Sequence, residues 1–414
     1  MKFEIVEPGQ HRLPKRWLLH RLSYPAFAVA GLLVVCPPAA QAFSFSLVHT
    51  FGSTGDGTQP IGGLTRKNHR LWGTTCTGGG SGFGTVYRFK ISNPSIYNVV
   101  YNFSGPSDGS CPAADLTHVG GGGGGTFYGV TWFGGNLSGF HGGTVFKIQA
   151  NAPFGYTQLY KFNGGLSDGE RPLGQLTYNA GLLWGTTELG GNVNGNFGTV
   201  FTVPASGGSD TIKYNFTGPL LDGDVPEVGL TYVASSNTFF GTTGKGGTDT
   251  NGTAFKIDTA GSYTLLHSFG PSNTPSDGGL PRTKLIKVGG IFYGANAGNT
   301  LFKMNPGGAV TLIYTFAGYP GDGDFPTGDI VYANLGSGPR IYGTTETGGA
   351  NDMGTVFEID PATGVETSLY NFTGGSDGAY PESGLQMVTV GGMPVLYGTA
   401  SAGGSGSGTI FKVQ

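Results

Sequence analysis

Carboxylates at a recurring spacing are the first residues in this 414-residue sequence with the means to do chemistry. Asp-Gly pairs stand at Asp56, Asp108, Asp168, Asp222, Asp277, Asp322 and Asp377, and two of them extend to Asp222-Gly-Asp224 and Asp322-Gly-Asp324. Carboxylate oxygens so spaced are ligands that Ca²⁺ accepts, which makes Asp222, Asp224, Asp322 and Asp324 the candidate metal ligands. In the other five pairs the position of the second acid holds Thr58, Ser110, Glu170, Gly279 and Ala379, so no complete Ca²⁺ loop emerges. The competing reading is architectural. Each Asp would cap a turn through its own backbone, Gly would supply positive φ, and the proline that soon follows (Pro60, Pro112, Pro172, Pro226, Pro281, Pro326, Pro381) would stiffen the next segment.

A residue found in every repeat serves the repeat, whereas a site is usually built once from unlike residues. The unrepeated residues are Trp132, Phe133, His141, Glu188, Lys245, Asn296, Glu346 and Asp352. Trp132 with Phe133 would stack a sugar ring or a partner's apolar group, unless they merely pack their loop. Glu188 and Glu346 would suit glycoside hydrolysis if held at the required separation, and otherwise are solvated loop residues. These four are the candidate ligand-binding residues. No GxSxG, HExxH or Cys-x-x-Cys motif is present, and the Gly120, Gly122, Gly125 match to GxGxxG sits in a glycine run with no helix after it. No catalytic residue is assigned, and no cofactor is expected beyond the Ca²⁺ option.

Composition narrows the partners. A net charge of −3 offers no basic surplus for phosphates, so nucleic acid is not an expected partner. The 80 glycines with 12% aromatics suit many tight turns joining short aromatic strands, not a disordered chain. Lys15, Arg16 and Arg21 precede the apolar run 26–36, and "AQA" ends at Ala42, so residues 1–42 read as a signal peptide cleaved after Ala42. Cys36 follows Val35, where a lipoprotein signal wants a small residue. No later stretch has membrane length, and the mature chain is expected to be soluble, secreted and monomeric.

The elements that carry these residues repeat. Aromatic-ended runs such as "VVYNF", "IKYNF" and "SLYNF" end at Phe51, Phe103, Phe162, Phe216, Phe269, Phe316 and Phe372, spaced by 52, 59, 54, 53, 47 and 56 residues. Each unit holds four short runs rich in Val, Ile, Thr, Tyr, Phe and Trp, bounded by turn residues. Seven four-stranded antiparallel units predict an all-β, seven-bladed β-propeller over residues 43–414. A solenoid is the rival, and it would need capping repeats. "FSFSLVHTF" supplies a spare fourth strand and "GTIFKVQ" ends on a third, so pairing them closes the ring. Such a ring gathers the Asp-Gly and Gly-rich loops on one face and sets Cys76 beside Cys111, the expected disulfide.

The pattern in "LWGTTCTGGGSGFGTVYRF", "IYGTTETGGANDMGTVFEI" and "LYGTASAGGSGSGTIFKV" resembles the Gloeo/Verruco (GloVer) tandem repeat of choice-of-anchor exported proteins, over residues 45–414. The resemblance implies export and a propeller-like array with no assigned activity. It also implies a C-terminal sorting anchor. None follows Gln414, which favours simple secretion. The expected role is an extracellular binding scaffold for a polysaccharide or a cell-surface protein. The alternatives are a carbohydrate-active hydrolase or lyase at the channel mouth and a structural surface or matrix component.

Overall fold

The computed structural model describes residues 43–121, 124–135, 142–191, 195–270, 277–334 and 338–414. The signal peptide read over residues 1–42 lies outside the described residues, as does the candidate His141. Among the described residues every regular element is a β-strand, and no helix is long and apolar enough to cross a membrane.

In the first blade the strands Thr65–Lys67, Arg70–Thr75, Thr85–Lys90 and Asn93–Asn102 pair antiparallel in sequence order, from the channel outward. The same meander recurs to give seven sheets in a ring. In the third blade a further strand, Gly169–Pro172, pairs with the long second strand Leu182–Gly190. Phe45–Thr50 pairs with Thr409–Val413 as the outer strand of the last blade. Ser44 and Gln414 exchange backbone hydrogen bonds of 2.7 and 3.1 Å at the same seam. The chain is thus a seven-bladed β-propeller closed by its first strand, and a solenoid is excluded.

Alternation along the strands turns apolar side chains toward the neighbouring blade, so the core is divided among the blade interfaces. Trp72, Val86 and Phe103 of the first blade, for instance, pack on Leu116, Phe127, Phe146 and Ile148 of the second. All seven phenylalanines that end the aromatic runs are at most 3% exposed. Each such burial contributes about 1.5–3 kcal/mol relative to exposure. The glycine inside "WGTT", "YGTT" or the last blade's "YGTA" is required by contact. A Cβ at Gly185 would lie 2.6 Å from Phe201 Cζ, and one at Gly398 would lie 2.4 Å from Phe411 Cζ.

The repeated aspartates are blade latches. Two residues before each terminal Phe stands a Tyr or His, and its ring hydrogen-bonds the Asp-Gly carboxylate that follows. Tyr101 donates to Asp108 at 2.6 Å, Tyr160 to Asp168 at 3.1 Å, Tyr314 to Asp322 at 2.8 Å and Tyr370 to Asp377 at 2.9 Å. Tyr214 donates to Asp222, while His49 and His267 meet Asp56 and Asp277 at 2.9 and 2.7 Å. In six of these loops the same carboxylate also accepts the N–H of the residue directly after the phenylalanine, that of Ser104, Asn163, Thr217, Gly270, Ala317 or Thr373. One residue type thus ties the end of an outer strand to the loop that leads into the next blade.

Candidate functional site

Each loop between blades turns through one strained residue. Gln59, Cys111, Arg171, Val225, Leu280, Phe325 and Tyr380, each immediately before a proline, have φ between 55° and 60°. A side chain in this left-handed region costs about 1–2 kcal/mol, and the surrounding bonds hold it there. The N–H of Gln59, Cys111, Arg171, Val225, Leu280 or Tyr380 reaches back to a carbonyl of the preceding blade, as in Cys111 N–H to Phe83 O at 3.0 Å. Its own carbonyl accepts from the end of a second strand, as in Glu346 N–H to Phe325 O at 2.9 Å. Seven equal turns therefore bring the residue after each proline to the channel mouth.

Those seven residues are not alike. Ile61, Ala113 and Leu173 form an apolar arc from the first three blades, and Glu227, Arg282, Thr327 and Glu382 form a polar arc from the other four. Together they line a funnel of about 220 Å³, which Glu346 joins from the end of its second strand. Deeper, at the third position after the proline, Asp115, Gln175 and Asp329 face the same funnel. Lys284 occupies the equivalent depth in the fifth blade, and its Nζ donates to Gln175 Oε1 at 2.8 Å. Lys284 and Gln175 also line a wider chamber below.

The funnel is acidic, and its shape makes its acids hard to ionise. Asp115 is pushed up to about 7 by burial and by the charge of Asp329, although Gly63 N–H at 2.5 Å and Lys284 favour the carboxylate. Burial likewise raises Asp329, against the Lys284 N–H at 2.6 Å and the Lys284 ammonium. Burial lowers Lys284, and Asp329 and Asp115 oppose that. Near the rim Glu346 is raised by burial and then by the negative charge of Glu382, with Arg282 acting the other way. Glu227 is raised by burial and pairs with Arg282. Ser401 Oγ donates to Glu382 Oε1 at 2.6 Å. A carboxyl pushed up to about 7, as Asp115 is, can both donate to and accept from hydroxyl groups.

Of the residues expected from the sequence, Trp132, Phe133 and Glu188 come together and Glu346 stands apart. Trp132 Nε1 donates to Glu188 Oε2 at 3.0 Å, the Trp132 and Phe133 rings stack with centroids 4.6 Å apart, and the Arg171 guanidinium lies 5.6 Å over Phe133. Arg171 also approaches Glu188 at 3.8 Å. Glu188 is therefore engaged on the shoulder of the third blade, whereas Glu346 keeps company with Glu382 and Arg282 from the sixth blade. Asp222 and Asp322 spend their oxygens on the latches, and Asp224 pairs through its backbone with Lys245. Among the described residues no three acids, histidines or cysteines cluster as a metal site. Cys76 and Cys111 meet with their sulfurs 2.01 Å apart and their α-carbons at 3.7 Å, linking the first and second blades.

Asn296 is unrepeated for a structural reason. In most blades a threonine pair bridges the second and third strands, as in Thr187 and Thr199 at 2.8 Å. In the fifth blade Asn296 donates to both Thr300 Oγ1 and the Asp277 carbonyl at 3.1 Å. Asp352 accepts from Gly348 N–H at 2.9 Å within its own loop. Glu227, Arg282, Glu382, Asp115, Lys284 and Asp329 were not singled out by sequence, although their fixed offsets from the seven prolines would have found them.

The propeller domain of Doa1, a WD40 protein, is 12% identical over 89% of this chain and 96% of that one, with a TM-score of 0.53. Putative 6-phosphogluconolactonases from Bacteroides fragilis and Bacteroides uniformis also align. The first is 16% identical over 88% of this chain and 89% of that one, and the second 13% over 76% and 85%, each with a TM-score of 0.48. Identities this low speak to the propeller fold and not to activity, and the two lactonase alignments carry no further weight. No curated protein matches. The Gloeobacter/Verrucomicrobia repeat matches twice, over residues 121–299 and 294–414. With that match spanning most of a seven-bladed ring built from the same unit, the chain belongs to the Gloeobacter/Verrucomicrobia repeat family.

Proposed function

We propose that this protein is a secreted binding scaffold that takes a polysaccharide segment at the mouth of its central channel. The observation that carries the reading is the contrast within one ring. Seven backbone turns are equal, yet the residues that follow their prolines differ, with an apolar arc facing a polar one that carries two carboxyls. A sugar ring has the matching character, since its C–H face packs on apolar side chains and its hydroxyls bond carboxyls. Trp132 and Phe133 on the shoulder would extend the surface for a longer chain.

The test is a glycan array read with the wild-type protein and with Glu382→Gln and Glu346→Gln variants. Retained oligosaccharides that lose about tenfold or more in affinity on either substitution support the reading. Clean negatives across polysaccharides, with a folded protein, would sink it and favour a protein partner.

A second reading rests on Glu346, whose carboxyl is raised by burial and then by the charge of Glu382. A carboxylic acid with a raised pKa beside a second carboxylate is the pairing that glycoside hydrolysis uses. In that case the wild-type protein cleaves what it binds, and Glu346→Gln binds without cleaving.

A further inference from the structure

On the other end of the ring, between the first two blades, lies a cleft of a different sign. It has a volume of about 330 Å³, and Lys67, His69, Arg70, Arg88 and Lys90 line it beside Trp72, with no carboxylate among its lining residues. The strand register puts these charges on one face: Lys67 opposite Arg70, Arg70 opposite Lys90, and Trp72 opposite Arg88. Like charges directly across a sheet repel, so nothing in the blade itself recommends this arrangement. Arg88 lies 5.3 Å over Trp72 and 4.4 Å over Phe154, which fixes its plane. Arg70 Nη1 and Arg88 Nε are buried donors with no hydrogen-bond partner.

The sixth blade carries the internal comparison. Arg340 holds the place of Arg70, and there the two facing positions are acids. Arg340 Nε meets Glu358 Oε1 at 3.1 Å and Nη1 meets Asp360 Oδ2 at 3.3 Å. Where the sixth blade supplies Glu358 and Asp360, the first supplies Arg88 and Lys90. One blade neutralises its arginine internally and the other leaves it to be neutralised from outside.

We infer that this cleft is a binding site for an oxyanion of the sulfate or phosphate type, with Arg70 and Arg88 donating N–H groups to it and Lys90 adding charge. The planar guanidinium is suited to such groups. The site is independent of the channel mouth. Its source is either the free ion or the same group carried on an acidic polysaccharide.

The experiment is thermal unfolding and titration calorimetry of the purified protein with sodium sulfate, inorganic phosphate and a sulfated oligosaccharide, against sodium chloride at matched ionic strength. The Arg88→Glu/Lys90→Asp variant copies the sixth blade and controls for general salting effects. The wild type should bind the anion, that variant should lose about tenfold or more in affinity, and without anion the variant should have the higher Tm. Lys90→Gln, expected to weaken binding while keeping the fold, serves if the double variant does not fold. Tighter binding of the sulfated oligosaccharide than of sulfate assigns the group to a polymer, and equal binding assigns it to the free ion. Absence of wild-type binding, or equal binding by wild type and substituted protein, overturns the inference.

Discussion

At the scale of single residues, the molecule separates side chains that build the repeat from those that differ within it. The aspartates belong to the first kind. Asp222 accepts from the Tyr214 hydroxyl and from Thr217 N–H and Oγ at 2.9 Å, so removing it strands several donors at once. Asp222→Ala is expected to cost about 2–3 kcal/mol, and Tyr214→Phe about 1 kcal/mol, in urea unfolding. Neither should alter ligand affinity at the mouth. The turn role of these aspartates was legible in the sequence because Asp, Gly and Pro recur at one offset. Their aromatic partners stand in the sequence too, as the Tyr or His two residues before each Phe, but only the fold brings the ring to the carboxylate. The reverse holds for Asn296, whose rarity suggested a site and whose bonds turn out to replace a threonine pair.

At the scale of elements, the informative unit is the loop between blades. Its left-handed residue before proline is unreadable in sequence, since Gln, Cys, Arg, Val, Leu, Phe and Tyr all occupy it. Chain-type propensity gives no hint of a conformation that the neighbouring blades impose. That hidden turn is the reason the charged mouth escaped detection, because it aims the residue beyond the proline into the channel. The order of strands, the blade number and the closing seam were all legible, since each follows from apolar alternation and from counting strands at the two ends. The bond between Cys76 and Cys111 belongs to this scale as well. It joins residues 35 apart in sequence and clamps the loop that enters the second blade to the end of the first blade's second strand. Cys76→Ser/Cys111→Ser is expected to lose about 3–4 kcal/mol by loop entropy. Chemical unfolding of the oxidised protein and of the double variant measures it, and equal midpoints would contradict the disulfide's role.

At the scale of the whole molecule, half-buried acids, four at the channel mouth and Glu366 on the outer strand of the sixth blade, give stability a definite slope with pH. Asp115 and Glu366 are each pushed up to about 7, the latter by burial and the charge of Asp322, and Asp329, Glu227 and Glu346 are raised as well. A carboxyl whose folded pKa exceeds its unfolded value holds its proton more tightly when folded. Its ionisation therefore penalises the fold, with no penalty below the unfolded value and the full penalty above the folded one. The protein is expected to melt at a higher temperature at about pH 5 than at about pH 7, and Asp115→Asn should flatten that slope. Thermal unfolding across this range checks it, and a Tm that falls steadily toward pH 5 would contradict the burial of these acids.

The same channel mouth is where the functional claim stands or falls, because the fold supplies seven equal positions and the chain fills them unequally. Amide hydrogen exchange with and without a retained oligosaccharide reads this most directly. Protection should concentrate in the segments that follow the prolines, around Ile61, Asp115, Gln175, Glu227, Arg282 and Glu382, with the underside cleft at Arg70 and Arg88 unchanged. Protection confined to the outer strands or to that cleft, with the channel mouth exchanging as before, would contradict it.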